Sequence, residues 1–262
     1  MNRIDRKFKQ LRKEGKKAFI AFLTAGYPDL KITGDLILAF EKSGVDIIEI
    51  GVPFSDPIAD GPVIQEASQK ALEGRVNLDD IFALVKKVRA KSQVPICLMT
   101  YYNPVFSYQE ERFVRNAHAV GVDGLIVPDL PCEEAGSLIK ACRKYAIDTI
   151  FFASPTTKEA RIQKISSSSR GFIYYVSTTG VTGARKDISG SLKKDALRLK
   201  RLVSLPVCVG FGISTPKQVK QVSSFSDGVI IGSAIVKKIK ENSGHTSLVK
   251  KVSLFVRELK GK

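Results

Sequence analysis

Short apolar runs rich in β-branched residues recur down the chain: AFIAFLT (18–24), DIIEIGV (46–52), PICLMTY (95–101), DGLIVP (123–128), TIFFAS (149–154), FIYYVS (172–177), LPVCVGF (205–211) and DGVIIG (227–232). Runs of this kind predict strands, and the amphipathic stretches between them are long enough for helices. Helix stops fall at Ser43-Gly44 and at Val120-Gly121. Ahead of the first run, Ile4, Phe8 and Leu11 recur at helical spacing before Gly15, which predicts an extra N-terminal helix. The closing stretch TSLVKKVSLFVRELKGK (246–262) predicts a final amphipathic helix.

Strands alternating with helices imply parallel βαβ units, and eight of them in about 250 residues match the size of a closed (β/α)8 barrel. An open doubly wound sheet is the competitor. That fold more often carries GxGxxG after its first strand, whereas here the first strand runs into TAGYPD. No proline- and serine-rich linker breaks the series, and SSSS (166–169) reads as a short loop before the sixth strand. The expectation is an α/β chain with one (β/α)8 barrel domain over residues 1–262.

Composition narrows the class. A hydrophobic content of 44% in 262 residues supports a large core, and no segment approaches the roughly 18 apolar residues of a membrane span. The basic N-terminus lacks an apolar signal core. Cys97, Cys132, Cys142 and Cys208 form no CxxC pair, so buried reduced thiols and a reducing, cytoplasmic compartment are expected. The formal charge is +16, but its lysines are scattered, often as pairs such as Lys16-Lys17, Lys86-Lys87 and Lys237-Lys238. No nucleic-acid-binding motif accompanies them, so the charge reads as a solvated basic surface affecting solubility and steering.

The candidate chemistry gathers at strand ends, where barrels place their active sites. Glu49 lies among isoleucines near the end of the second strand, and a buried carboxylate costs several kcal/mol unless paired, protonated or used. Period-two alternation puts it on one face with Ile47 and Gly51, the glycine leaving room beside the carboxylate, and puts Ile48 and Ile50 on the other. A structural acid paired to a buried lysine or hydroxyl is the plainer alternative to a tuned acid or base. Asp56 and Asp60 follow in a loop containing Pro53, Pro57, Gly61 and Pro62; loops of this length are often lids, though both aspartates could be ordinary turn residues or helix caps. Glycine loops follow the last three strands, GVTGA (180–184), GFGIST (210–215) and GSAIV (232–236). The last two lead into helices, with Ser214 and Thr215 as cap candidates and Pro216 in the first turn. Together the three loops suggest a phosphate corner, although glycine also serves turns. His118 and His245 lie in polar helical surroundings, metal-ligand spacing is missing, and no strand interior holds a lysine for a Schiff base. Read from the residues, the chain is a barrel enzyme using two carboxylates on a phosphorylated substrate, with no metal and no covalent lysine.

The segment EIGVPFSDPIADGPVIQ, with FLTAGYPD, YYNPVF, GVDGLIVPDLP, STTGVTGAR and GFGIS…GSAIV, resembles the tryptophan synthase alpha subunit family in order and over essentially the whole chain. GVPFSDPIADG is its most specific part. The resemblance implies a (β/α)8 barrel that cleaves indole-3-glycerol phosphate to indole and glyceraldehyde 3-phosphate. It also implies a beta subunit carrying pyridoxal phosphate, no cofactor in this chain, and an αββα assembly through which indole passes. By position, Glu49 and Asp60 match the family's catalytic carboxylates. Gly183, Gly212, Gly232 and Ser233 match its phosphate contacts, and Phe22, Met99, Tyr101, Ile126, Tyr174, Thr182, Phe211 and Ile231 its pocket lining. Thr182 also has a family role in closing the 178–190 loop against Asp60. Pro53, Asp56, Asn103 and Phe106 match the face toward the beta subunit. Pro128, Phe152 and Thr178 depart from the usual residues and would reshape the pocket or shift loop closure. The rival expectations are a stand-alone indole-releasing lyase and a non-catalytic activator of a beta subunit; intact Glu49 and Asp60 weigh against the activator.

Overall fold

The computed structural model describes residues 1–176, 190–210 and 212–261. Among them, nine strands form one parallel sheet: β1 (Ala18–Thr24), β2 (Ile47–Gly51), β3 (Ile96–Met99), β4 (Gly124–Ile126), β5 (Asp148–Ile150), β6 (Phe152–Ala153), β7 (Ile173–Val176), β8 (Val207–Gly210) and β9 (Gly228–Ile231). Their order is β5-β4-β3-β2-β1-β9-β8-β7-β6. The two outer members are parts of one run interrupted at Phe151. Its first part pairs with β4 and its second with β7, and Phe151 O accepts the Tyr174 N–H at 3.0 Å. The sheet therefore closes through this run as a barrel. The single fifth strand expected at 149–154 is split because its two parts pair with different neighbours.

Alternation divides the core in two. Ile48 and Ile50 face outward and pack with helix residues such as Phe40 and Val85. Ile47 faces inward with Ile20, Cys97, Ile126, Ile150, Cys208 and Ile230. The N-terminal helix, Arg3–Lys13, contributes Ile4, Phe8 and Leu11 to this inner cluster. It thus closes the floor of the barrel, which explains why its apolar spacing precedes the first strand.

Three aspartates fasten the same end. Asp46 accepts the Phe19 N–H, Asp123 the Ile96 N–H and Asp227 the Val207 N–H, each bridging to a neighbouring strand. Arg3 and Arg89 pair with Asp123 at 3.0 and 2.7 Å, and Lys260 with Asp46 at 2.9 Å. Partner groups of this kind allow buried carboxylates to stay charged. The N-terminal face of the barrel is thus the end built for stability.

Most helix signals in the sequence have a physical counterpart. Helix Leu30–Lys42 ends at Ser43, and helix Glu110–Val120 ends on Gly121 at φ 95°, a conformation natural to glycine. Helix Pro216–Ser223 starts with Thr215 as N-cap and proline in its first turn, and helix Leu248–Leu259 closes the described chain. The SSSS loop does not form as expected: helix Glu159–Ser168 takes in its first three serines. Ile162 and Ile165 are buried on that helix and carry it on to its last turn. The connection after β2 carries two helices, Pro62–Glu73 and Leu78–Arg89.

The floor packs tightly enough to test. A methyl group at Gly124 would meet Ile150 Cδ1, Cys97 Sγ and Ile4 Cδ1 at 2.8, 2.9 and 2.9 Å. Gly124→Ala is expected to cost about 1–3 kcal/mol of stability in denaturant unfolding. An unchanged midpoint would show that the N-terminal helix does not seal the floor.

Candidate active site

Strand register brings Glu49 of β2 between Phe22 of β1 and Cys97 of β3, on the inner face. Glu49 is 1% exposed, and its Oε2 has no hydrogen-bond partner among the described residues. The room that Gly51 opens is filled by an aromatic ring: a Cβ there would lie 2.5 Å from Phe22 Cζ. At Gly210 a Cβ would lie 2.5 Å from Tyr174 Cε1. These glycines let two rings lean across neighbouring strands and keep water from the carboxyl. Burial, then the nearby charge of Asp60, raises the Glu49 pKa from the ordinary 4.5 to about 8. A structural acid is expected to have a partner, and Glu49 Oε2 has none among the described residues.

Asp60 reaches the site from the loop between β2 and helix Pro62–Glu73. Its N–H donates to Pro57 O at 3.0 Å, and its carbonyl accepts from Gln65 Nε2 at 2.9 Å. Tyr101 holds the carboxyl: its hydroxyl donates to Asp60 Oδ2 and accepts the Ala59 N–H, both at 3.0 Å. Phe54 stacks on the Tyr101 ring at 5.2 Å. Burial raises the Asp60 pKa to about 6, and the Tyr101 hydrogen bond opposes that rise. The Tyr174 hydroxyl is pushed well up by burial and then by the charges of Glu49 and Asp60, so it lies near both carboxyls. Asp56 is exposed and accepts from Ser55 Oγ at 2.6 Å, as a turn residue does.

The two helix starts near the glycine loops differ. Thr215 caps helix Pro216–Ser223, and Gln218 Oε1 takes the Ser214 and Thr215 N–H groups at 2.9 and 3.2 Å. That start has satisfied itself. Helix Ser233–Glu241 begins at Gly232 with no side-chain cap, which leaves leading N–H groups for an anion. Gly232 lies against Phe22, and Gly212 has a φ of +45°. A cleft of about 390 Å³ joins Gly61, beside Asp60, to Gly212, Ser214 and Ser233. A larger cleft of about 900 Å³ opens at the opposite end beside Lys7, Lys17, Lys217 and Lys260, and neither cleft is lined by Glu49 or Asp60.

Phe22, Met99, Ile126 and Tyr174 face the barrel interior, and Tyr101 bridges from the end of β3 to the Asp60 loop. Ile231 does not join them. It pairs with the outward-facing Ala21 and packs in the strand–helix layer, whereas Ile230 faces inward; the period of two moves the pocket position by one residue. Pro53 is buried within the chain, while Asp56, Asn103 and Phe106 are exposed. Thr178, Thr182, Gly183 and Phe211 lie outside the described residues. Phe152 stacks on Tyr174 with centroids 4.7 Å apart.

Sequence reasoning missed two residues. Thr24 ends β1 on the inner face, beside Gly51, with a buried hydroxyl that has no partner among the described residues. Its signal was a polar residue closing an apolar run. Ile58 is 80% exposed in the same loop as Asp60, and Phe106 is 64% exposed; a large apolar residue in a proline–aspartate loop was the signal. All four cysteines are buried and free. Among the described residues no group of three or more His, Cys, Asp or Glu side chains could hold a metal, and no helix is long and apolar enough to cross a membrane.

The raised pKa of Glu49 has a consequence for stability. Between pH 4.5 and about 8 the unfolded chain has released this proton and the folded chain has kept it, so stability falls as pH rises. Glu49→Gln is expected to unfold at higher temperature than the parent, by a margin widening from pH 5 to pH 8 toward a few kcal/mol. A constant margin would show that Glu49 is ionised throughout.

A family profile described as "Tryptophan synthase alpha chain" matches residues 8–262. The alpha chain of Thermoanaerobacter sp. (strain X514) is 46% identical over 260 residues, covering 99% of both chains. That of Geotalea daltonii is 50% identical over 256 residues, covering 97% of both. The crystal structure of tryptophan synthase subunit alpha from Legionella pneumophila superposes with a TM-score of 0.94 at 36% identity, covering 100% of this chain and 98% of that one. A chain of the Pyrococcus furiosus tryptophan synthase complex superposes at 0.87 with 37% identity, covering 94% and 98%. Matched by the family profile over residues 8–262 and by relatives at 46–50% identity nearly end to end, the chain belongs to the tryptophan synthase alpha chain family.

Proposed function

We propose that Glu49 and Asp60 carry the reaction of this family, the retro-aldol cleavage of indole-3-glycerol phosphate to indole and glyceraldehyde 3-phosphate. The observation that carries this reading is the buried carboxyl of Glu49, whose Oε2 has no hydrogen-bond partner among the described residues, with Asp60 held beside the same interior by Tyr101. Between pH about 6 and about 8 Glu49 is protonated and Asp60 ionised, a pair of environments that separates acid from anion. Glu49 gives its proton to C3 of the indole, while Asp60 accepts the indole N–H and stabilises the positive charge that develops. The Glu49 carboxylate then takes the proton of the hydroxyl on the adjoining carbon. The C–C bond breaks to an aldehyde, and its electron pair returns to the ring as indole. Glu49 ends protonated, ready for another turnover.

Gly212, Gly232 and Ser233 are the phosphate corner in this reading, with Thr182 and Gly183 assigned to it by family position. Phe22, Met99, Tyr101, Ile126 and Tyr174 wall the indole and glycerol chain. The chemistry uses no cofactor in this chain; pyridoxal phosphate belongs to the beta subunit with which the family pairs. Asp56, Asn103 and Phe106 face that partner, joined by Ile58, and the assembly is an αββα tetramer. The barrel is one domain over residues 1–262 and works in the cytoplasm, a setting supported by its four free, buried cysteines.

Glu49→Gln is expected to lower kcat for indole release by roughly 10²–10⁴-fold while still binding the beta subunit; cleavage at the parental rate would refute the proton role. The parental kcat/KM should be bell-shaped in pH, rising near 6 as Asp60 ionises and falling near 8 as Glu49 loses its proton. A profile flat from pH 5 to 9 would contradict the pairing. Phe106→Asp should weaken beta-subunit binding by about tenfold or more in calorimetry, and unchanged affinity would place the interface elsewhere.

A further inference from the structure

We propose that Lys237 is a further substrate-binding residue, the cation that draws the phosphate of the substrate into the corner formed by Gly212, Gly232 and Ser233. This deepens the phosphate-corner reading above and rests on it. The corner offers N–H groups and a hydroxyl but no charge of its own, and the substrate phosphate arrives as an anion. A positive side chain on its rim would raise the local concentration of that anion and favour its docking.

Lys237 meets the geometric requirements. It sits four residues after Ser233 on helix Ser233–Glu241, so the two share a helix face. Side chains on a helix lean toward its N-terminus, which carries the Lys237 stem back toward Ser233 and the uncapped helix start. Lys237, Ser233 and Gly212 line the same cleft of about 390 Å³, which also reaches Gly61 beside Asp60.

The other lysines of this helix are engaged. Lys240 Nζ is 2.6 Å from Glu66 and ties the helix to helix Pro62–Glu73. Lys238 is 3.4 Å from Glu241 and lies over the Phe255 ring at 5.7 Å. Glu241, the one carboxylate among the cleft-lining residues described, is thereby partly neutralised. Lys237 is exposed and has no ion pair among the described residues. Among the described residues lining this cleft its ammonium is the uncommitted charge, and an exposed charge of that kind acts on ligand capture more than on the chemical step.

The test uses the chain with its beta subunit. Steady-state cleavage of indole-3-glycerol phosphate is measured at low and high salt for the parent and for Lys237→Gln, Lys237→Glu and Lys237→Arg, with glycerol 3-phosphate and glycerol as competitive inhibitors. Lys237→Gln is expected to raise KM and the inhibition constant of glycerol 3-phosphate about threefold to fivefold, with kcat within about twofold. Lys237→Glu should raise both further, and Lys237→Arg should restore parental values. The fall of kcat/KM with salt should be shallower in Lys237→Gln than in the parent. Unchanged KM, inhibition constant and salt slope in Lys237→Gln overturn the proposal, as does a loss of kcat that Lys237→Arg shares. If glycerol inhibits the parent as well as glycerol 3-phosphate does, the phosphate corner itself fails and the proposal falls with it.

Discussion

A carboxyl group sealed inside the barrel without a partner is the constraint on which the rest of this structure depends. Glu49 could be neutralised by a lysine or satisfied by hydroxyls, as Asp46 and Asp123 are by cations at the floor. Instead it is enclosed by rings and aliphatic side chains, and its Oε2 has no hydrogen-bond partner among the described residues. The low polarity around it keeps the proton on at neutral pH. That enclosure is assembled from glycines as much as from large residues, since Gly51 and Gly210 are small so that Phe22 and Tyr174 can reach across the strands. The energetic cost of the buried acid is a property of its function, and the remaining fold must carry it.

The two ends of the barrel divide that work. At the N-terminal end, Asp46, Asp123 and Asp227 each receive a backbone N–H from a neighbouring strand, and an eleven-residue helix fills the floor with Ile4, Phe8 and Leu11. Asp46, Asp123 and Asp227 there each also pair with a cation. At the other end, among the described residues, Glu49 Oε2 and the Thr24 hydroxyl have no hydrogen-bond partner and helix Ser233–Glu241 has no side-chain cap. Asp60 is held there by Tyr101, just beyond β3, whose hydroxyl donates to its Oδ2. Groups satisfied by substrate rather than by the protein itself are what a preorganised site requires.

Much of this was legible in the sequence because the signals were local. Every strand run was visible as a β-branched cluster, and Thr215-Pro216 announced a capped helix by residue type alone. Glu49 stood out because a carboxylate among isoleucines conflicts with burial. What escaped depended on relations between segments. Whether Ile230 or Ile231 faces inward follows from the register of β9 against β1, and a shift of one residue reverses it. The split at Phe151 arises because one run must pair with two neighbours in succession. Pro53, placed toward the beta subunit by resemblance alone, is buried by the folded loop. That the helix after β8 consumes its own N–H groups, whereas the helix after β9 does not, depends on where Gln218 turns its side chain.

The central claim is that the enclosure of Glu49, rather than any partner, sets its proton affinity. Carbon-13 NMR titration of the side-chain carboxyls in the substrate-free chain, with Glu49 identified by its absence in Glu49→Gln, reads this directly. The account predicts a Glu49 midpoint near 8, about two units above that of Asp60 near 6. A Glu49 midpoint near its ordinary 4.5 would mean that the carboxyl is solvated or paired in solution, and the acid–base assignment would not stand.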